Sequence, residues 1–187
     1  MLIPLRLSAQ TDEQLMLRAA RGSDRAFEEL YNRHARRLQG FFVRRLGEDA
    51  DLAADFMHDT FLRLYAARET YREGRSFRAW LYTIAYNLCK NHHRNQLAIV
   101  PADSVAEEAA ESDIEVELDE AILHDALHET LKSLPEPYAM LFSLHYEEEL
   151  TIPQIAQITD LPEGTVKSRL HKIMNIIKQQ LKQYENR

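Results

Sequence analysis

The stretch ITDLPEGTVKSRLHK, residues 158–172, places Lys167, Arg169 and Lys172 within six positions behind a tight turn. Just upstream, TIPQIAQI (151–158) opens with Thr151, a good cap for a short helix, and its Pro153 falls in the first turn, where proline is tolerated. Ile155 and Ile158 point inward, and Ala156 permits close helix contact. Thr159-Asp160-Leu161 makes the turn and Pro162 starts a second helix. Val166, Leu170, Ile173 and Ile177 recur at i, i+4, i+7 and i+11, the stripe of a buried helical face. Lys167, Ser168, His171 and Lys172 then point outward near the N-terminal end. This is the layout of a helix-turn-helix, whose second helix enters the major groove N-terminus first. Lysine and arginine can read guanine edges or hold phosphate, and serine and histidine can do either. The same residues also fit the solvated face of an ordinary helical hairpin, and spacing alone leaves both readings open.

Net charge speaks against nucleic acid only until it is divided along the chain. The 187 residues carry a formal charge of -7. Residues 1–95 hold 16 Lys/Arg against 12 Asp/Glu, residues 96–130 hold none against 11, and residues 131–187 hold seven of each. Residues 162–187 hold six basic and two acidic side chains, so the basic helix is locally positive. The acid is concentrated in one stretch between parts that are not acidic on balance, and this asymmetry says more than the total.

Away from that stretch the apolar residues recur at helical spacing throughout, and nothing alternates with period two over a useful length, so the expected fold is all-α. Thr11 with Gln14 has the form of a capping box, opening a helix that Gly22 stops. Ser23 or Asp24 caps a longer helix with Phe27, Leu30, Tyr31, Leu38, Phe41 and Phe42 on one stripe, closed by Gly47. Asp49 or Asp51 opens a third helix with Leu52, Phe56, Phe61 and Leu64 inward; 68–76 reads as a loop, and a fourth helix runs from about Phe77 to Arg94. From Gln96 to Asp113 the pattern dissolves into Ala, Glu, Ser and Pro without an apolar stripe, which cannot offset ordering entropy, so a mobile linker is expected. A helix resumes at about Leu118 with Ile122, Ala126, Leu127 and Leu131 inward, LPEP (134–137) breaks it, and Tyr138–Tyr146 is helical again before the acidic corner 147–149. The expected organisation is two small helical domains, 1–96 and 118–187, joined by a flexible acidic linker, 97–117, with the helix-turn-helix in the second.

Both ends of the chain resemble one known family. LPEPYAMLFSLHYEEELTIPQIAQITDLPEGTVKSRL (134–170) is similar to the promoter-recognition region 4 of bacterial sigma factors, with its I-A pair and its G-T-V-K-S-R-L in the expected order. Independently, AFEELYNRHARRLQGFFVRRL (26–46), DLAADFMHDTFLRLY (51–65) and FRAWLYTIAYNLCKNHHR (77–94) resemble region 2 of the small extracytoplasmic-function (ECF) sigma factors. There are departures. Asp160 stands where a turn glycine is usual, the segment after Leu170 is poorer in arginine, and His58 replaces a usual glutamine. The adjacent tryptophans that open the duplex in housekeeping relatives fall near Thr83 and Ile84, which implies weak melting and a demand for good promoters.

The resemblance implies a transcription initiation factor, not an enzyme, whose partners are core RNA polymerase through its β′ and β subunits, promoter DNA, and an anti-sigma factor, in many relatives membrane-anchored. By motif position, Thr165, Lys167, Ser168, Arg169, His171 and Lys172 would meet the −35 duplex. Arg75, Asn87, Lys90, Asn91 and Arg94 would take the separated −10 strand, amides bonding an extruded base and cations holding phosphate. Asp55, His58, Asp59 and Arg63 would form the polymerase-binding face, at i, i+3, i+4 and i+8 of one helix; a plain solvated face is the alternative their spacing also allows. Trp80 is read as core rather than a stacking platform because its neighbours are apolar.

The remaining constellations are weaker. His124 and His128 have a metal-capable i, i+4 spacing but no H-E-x-x-H around them, so neither metal nor any other cofactor is expected, and no small-molecule substrate. His92-His93 adjoins the proposed −10 face, and the single cysteine, Cys89, reads as a buried inert thiol. No apolar run approaches the ~18 residues of a bilayer span, and MLIPLRLSAQTDEQ is too soon charged for a signal peptide, so a cytoplasmic protein is expected. The rival reading is a sigma-mimicking adaptor that sequesters an anti-sigma factor without touching promoters. The linker reads either as a polyanion mimic for the polymerase channel or as a solubilising spacer. If it also folds back on the basic faces, neutralising its acids raises the free protein's DNA affinity at low salt, where the attraction is least screened, and a titration that shows no change refutes this.

Overall fold

The structure is a computed structural model that describes residues 7–47, 49–97 and 120–185, with side chains for 7–47, 49–95 and 127–181. Among these residues every regular element is helical. Almost all of the expected linker, 97–117, lies outside them. The helices fall into two compact units.

In the first unit, α1 (Asp12–Ala20) begins with the capping box that Thr11 and Gln14 announce: the Gln14 N–H donates to Thr11 Oγ1 at 3.3 Å and the Thr11 N–H to Gln14 Oε1 at 3.1 Å. It ends at Gly22, whose φ of 93° lets the Ser23 N–H turn back to the Arg18 carbonyl. In α2 (Asp24–Arg45) Ser23 occupies the cap position without a side-chain bond, and Asp24 instead accepts from the Tyr65 hydroxyl at 2.9 Å. Asp49 caps α3 (Ala50–Ala66), its carboxylate accepting from the N–H groups of Asp51 and Leu52. α4 spans Phe77–Leu97, three residues past the expected end, because neither glycine nor proline interrupts it there.

Packing follows the stripes. Leu30, Leu38, Phe41 and Phe42 of α2 meet Ala53, Met57, Phe61 and Leu64 of α3 as the core, while Leu52 and Phe56 flank it half-buried. Aromatic edges tie α4 in: Phe41 lies 5.4 Å from Tyr82, and Phe56 lies 5.5 Å from Phe42 and 5.4 Å from His92. Each such pair contributes about 0.5–1.5 kcal/mol beyond its area. Polar ties fasten α1 to α2. Asp12 receives Arg33 Nη1 at 3.0 Å and faces His34 Nε2 at 2.7 Å, and Arg33 also reaches Glu29 and the carbonyls of Leu7 and Gln10.

The second unit comprises α5 (Glu120–Ser133), α6 (Glu136–Phe142), α8 (Glu163–Glu185) and the first part of α7 (Ile152–Thr159), whose last three residues group with the first unit. Of the α5 residues expected inward, Leu127 and Leu131 are half-buried, and the side chains of Ile122 and Ala126 lie outside those described. The expected helix over 138–146 is two pieces. It starts at Glu136, then widens over Ser143–Glu147 into a π-helical turn, where the Glu148 N–H reaches the Ser143 carbonyl at 2.9 Å and the Ser143 hydroxyl donates to the Glu147 carboxylate. The acidic corner is not uniformly solvated: Glu148 is fully buried, and Glu149 makes the turn at φ 53°. Between α7 and α8, Asp160 adopts φ 58° and the Leu161 N–H closes back to the Ala156 carbonyl, the bond that satisfies a helix C-terminus when its last residue turns left-handed. The stripe Val166, Leu170, Ile173 and Ile177 is buried, and α8 packs on α5 and α6.

The Asp12 cluster makes stability pH-dependent in a defined sense. Burial pushes the Asp12 carboxyl up, but the hydrogen bonds from His34 and Arg33 outweigh it and hold the group below its ordinary 3.8. A depressed carboxyl stabilises above its unfolded pKa and stops doing so as pH falls through the folded value. In urea unfolding, Asp12→Asn is therefore expected to be less stable than wild type at neutral pH, with the gap closing below pH 3.8.

Candidate nucleic-acid interface

Burial of one stripe of α8 forces the opposite stripe outward. Lys167, Ser168 and His171 are exposed, whereas Thr165, Arg169 and Lys172 are half-buried. The Ser168 hydroxyl donates to the Thr165 carbonyl at 3.1 Å, leaving its lone pairs available. His171 Nδ1 lies 3.3 Å from the Asn175 amide, so Asn175, also exposed, extends the polar face one turn beyond the expected residues. Lys172 is drawn sideways: its ammonium sits 5.9 Å from the Tyr138 ring of α6, near the limit of a cation–π contact. The outward set is thus Lys167, Ser168 and His171, with Lys172 at its margin.

In the first unit α4 shows the same division. Asn87, Lys90, Asn91 and Arg94 are all exposed, and the loop residue Arg75 is exposed before them. Trp80 is core, 7% accessible, and stacks on the buried Tyr71 with centroids 5.4 Å apart. Arg75 lies over the same indole, its guanidinium carbon 5.4 Å from the ring centroid. The Tyr71 phenol donates to the Arg75 carbonyl, and its pKa is pushed up to about 12 by burial first and then by the nearby Glu13 carboxylate. Tyr71, Trp80 and Arg75 therefore form one stacked unit under the loop. His92 and His93 are half-buried, with His92 edge-on to Phe56, so they adjoin this face more than they line it.

A third face lies on α3. Asp55, His58 and Arg63 are exposed and Asp59 is half-buried. Asp59 and Arg63 pair with each other twice at 3.0 Å. His58 stands parallel to the Tyr31 ring with its Nε2 3.2 Å from the hydroxyl. In the middle of these polar groups Leu62 is 68% exposed, one of two large apolar side chains so exposed among the described residues. Sequence reasoning missed it, singling out only the inward stripe and the polar residues of this helix; its place outside the 57, 60, 61, 64 stripe is the signal that could have found it.

Comparison with known proteins assigns the chain a family. The family models described as Sigma-70 region 2 and Sigma-70 region 4 match residues 30–98 and 124–175. The chain is 33% identical over 183 residues to the RNA polymerase sigma-H factor of Pseudomonas aeruginosa, covering 91% of this chain and 94% of that one. The protein belongs to the sigma-70 family. Within it, the ECF RNA polymerase sigma-E factor of Escherichia coli strain K12 is 30% identical over 178 residues, covering 89% and 92% of the two chains. Two solved structures share the fold: CnrH in complex with the cytosolic domain of CnrY, at TM-score 0.66 and 23% identity over 91% of this chain and 97% of that one, and the sigma factor RpoE with the anti-sigma factor NepR from Bartonella quintana, at 0.63 and 21% over 83% and 96%. As an ECF-type sigma factor the chain is an initiation factor and not an enzyme. No cluster of three metal-capable side chains occurs among the described residues, and the His124 side chain lies outside them.

The α3 face yields a clean mutational expectation. Asp59 and Arg63 form a pair open to solvent on one side, worth about 0–1 kcal/mol to folding, and Leu62 contributes little buried area. Leu62→Ser and Asp59→Ala are expected to unfold within about 1 kcal/mol of wild type while losing affinity for core polymerase in a pull-down or titration.

Proposed function

We propose that this sigma factor binds core RNA polymerase and directs it to promoters by reading two separated elements, one with each helical unit. The division into 1–96, an acidic 97–117 and 118–187 gives each unit its own element and puts a segment without a basic residue between them. The observation that carries the reading is that both family models match in order on units whose polar faces are exposed as the two tasks require. In the second unit, Lys167, Ser168 and His171, with Thr165, Arg169 and Lys172 around them, meet the −35 duplex. Arg75, Asn87, Lys90, Asn91 and Arg94 take the melted −10 strand, cations on phosphate and amides on an unstacked base. Asp55, His58, Asp59 and Arg63, around the exposed Leu62, form the polymerase contact, with an apolar centre and polar rim of the kind protein interfaces use.

Two solved neighbours are complexes, one of them with a named anti-sigma factor, which supports an anti-sigma factor as this protein's regulator as well. Membrane anchoring of that regulator and a cytoplasmic site of action belong to the same proposal; no helix among the described residues is long and apolar enough to cross a membrane.

In vitro transcription with core polymerase tests the reading: promoter-specific transcripts are expected, and titration of an anti-sigma factor without any transcript from a genome-derived promoter pool would favour the adaptor instead. On a promoter found this way, Lys167→Ala is expected to weaken holoenzyme binding across sequences. If its contact is to phosphate, it reduces the slope of log K against log salt by about 1. If the contact is to a guanine edge, discrimination at one −35 position falls instead, and no change in either measurement removes Lys167 from the interface.

A further inference from the structure

The loop that carries Arg75 is held at three points. Tyr71, buried and stacked on Trp80, fastens its start and donates its hydroxyl to the Arg75 carbonyl. Ser76 caps α4 at its end, with the Ser76 Oγ accepting from the Ala79 N–H at 3.2 Å. The third point comes from α1, 64 residues away: Glu13 Oε1 accepts from the N–H of Phe77, the first residue of α4, at 3.2 Å. That amide has no partner within its own helix, and a carboxylate there also meets the positive end of the α4 dipole. The grip extends beyond one bond. The fully buried Phe77 ring lies 5.2 Å from His34, and His34 is in turn bonded to Asp12, the residue before Glu13. The same carboxylate acts on the Tyr71 phenol at the other end of the loop.

We propose that Glu13 is a positioning residue for −10 recognition: by holding the Phe77 N–H it fixes where the 71–76 loop joins α4, and with it how Arg75 and the α4 face are presented to an unpaired base. In this role Glu13 acts through that amide and not through a contact of its own with the strand. The inference rests on the reading of this loop and α4 as the −10 site, and the test separates the two.

Holoenzyme assembled from core polymerase and the full-length protein transcribes a pool of promoters randomised over both elements, and base preference is read at every position from the transcribed templates. Glu13→Ala is expected to lower discrimination at one or more −10 positions by about tenfold, the scale of one charge-assisted hydrogen bond, while −35 preference and affinity for core polymerase stay at wild-type values. Glu13→Gln keeps a carbonyl acceptor at the same reach and is expected to retain most of the discrimination. Unchanged −10 preference in Glu13→Ala overturns the proposal. Equal loss at both elements also overturns it, since that marks general destabilisation, and a Glu13→Gln protein as impaired as Glu13→Ala removes the hydrogen bond as its basis. Arg75→Ala and Asn87→Ala report on the underlying reading. If they alter −10 preference and Glu13→Ala does not, only the positioning role falls; if none of the three alters it, the −10 assignment falls and takes the positioning role with it.

Discussion

The aromatic contacts among Phe41, Phe42, Phe56 and Tyr82 are the constraint on which the first unit depends. They pin α4 against α2 and α3 along one side, and a pinned helix has no choice about its other side. Asn87, Lys90, Asn91 and Arg94 are exposed because Tyr82, Ala85, Leu88 and Cys89 are not. The same logic governs α8, where burial of Val166, Leu170, Ile173 and Ile177 turns Lys167, Ser168 and His171 to solvent. Rigid presentation of a few polar groups by a committed apolar stripe suits a protein that must recognise rather than react, since precision of placement is what binding specificity needs.

How much of this could be read from the sequence depended on the range of the interaction. The Thr11–Gln14 capping box, the Asp49 cap and the α8 stripe are local, spanning one to four turns, and residue order alone specifies them. So is Asp160, whose tolerance of left-handed backbone lets it stand where the family prefers glycine. What stayed hidden was tertiary. The lateral pull of Tyr138 on Lys172 depends on how α6 lies beside α8. Burial of Glu148 within a run of three acids has no compositional signature at all, because its neighbours of identical type point elsewhere. Glu13 bonding to Phe77 is the extreme case, a contact between helices at opposite ends of the unit's sequence.

Charge shows the same split between average and place. A chain of net -7 carries basic residues at Lys167, Arg75, Lys90 and Arg94 on faces suited to a polyanion, because residues 96–130 hold 11 acids and no Lys or Arg and so account for the whole negative excess. On the α3 face the acids serve differently: Asp59 is engaged by Arg63, and the polar rim around Leu62 is nearly balanced in charge. One chain can thereby present a cationic surface and a mixed one from helices packed against each other.

The stacked arrangement beneath the loop also equips the protein with its own optical probe. The sequence contains one tryptophan, Trp80, and it lies against both the Tyr71 ring and the Arg75 guanidinium. Indole emission is sensitive to a neighbouring cation and to the water it admits or excludes. Any movement of Arg75 toward a bound strand changes both, so the fluorescence of the free protein is a one-site signal from the loop, read without a label and without altering a residue.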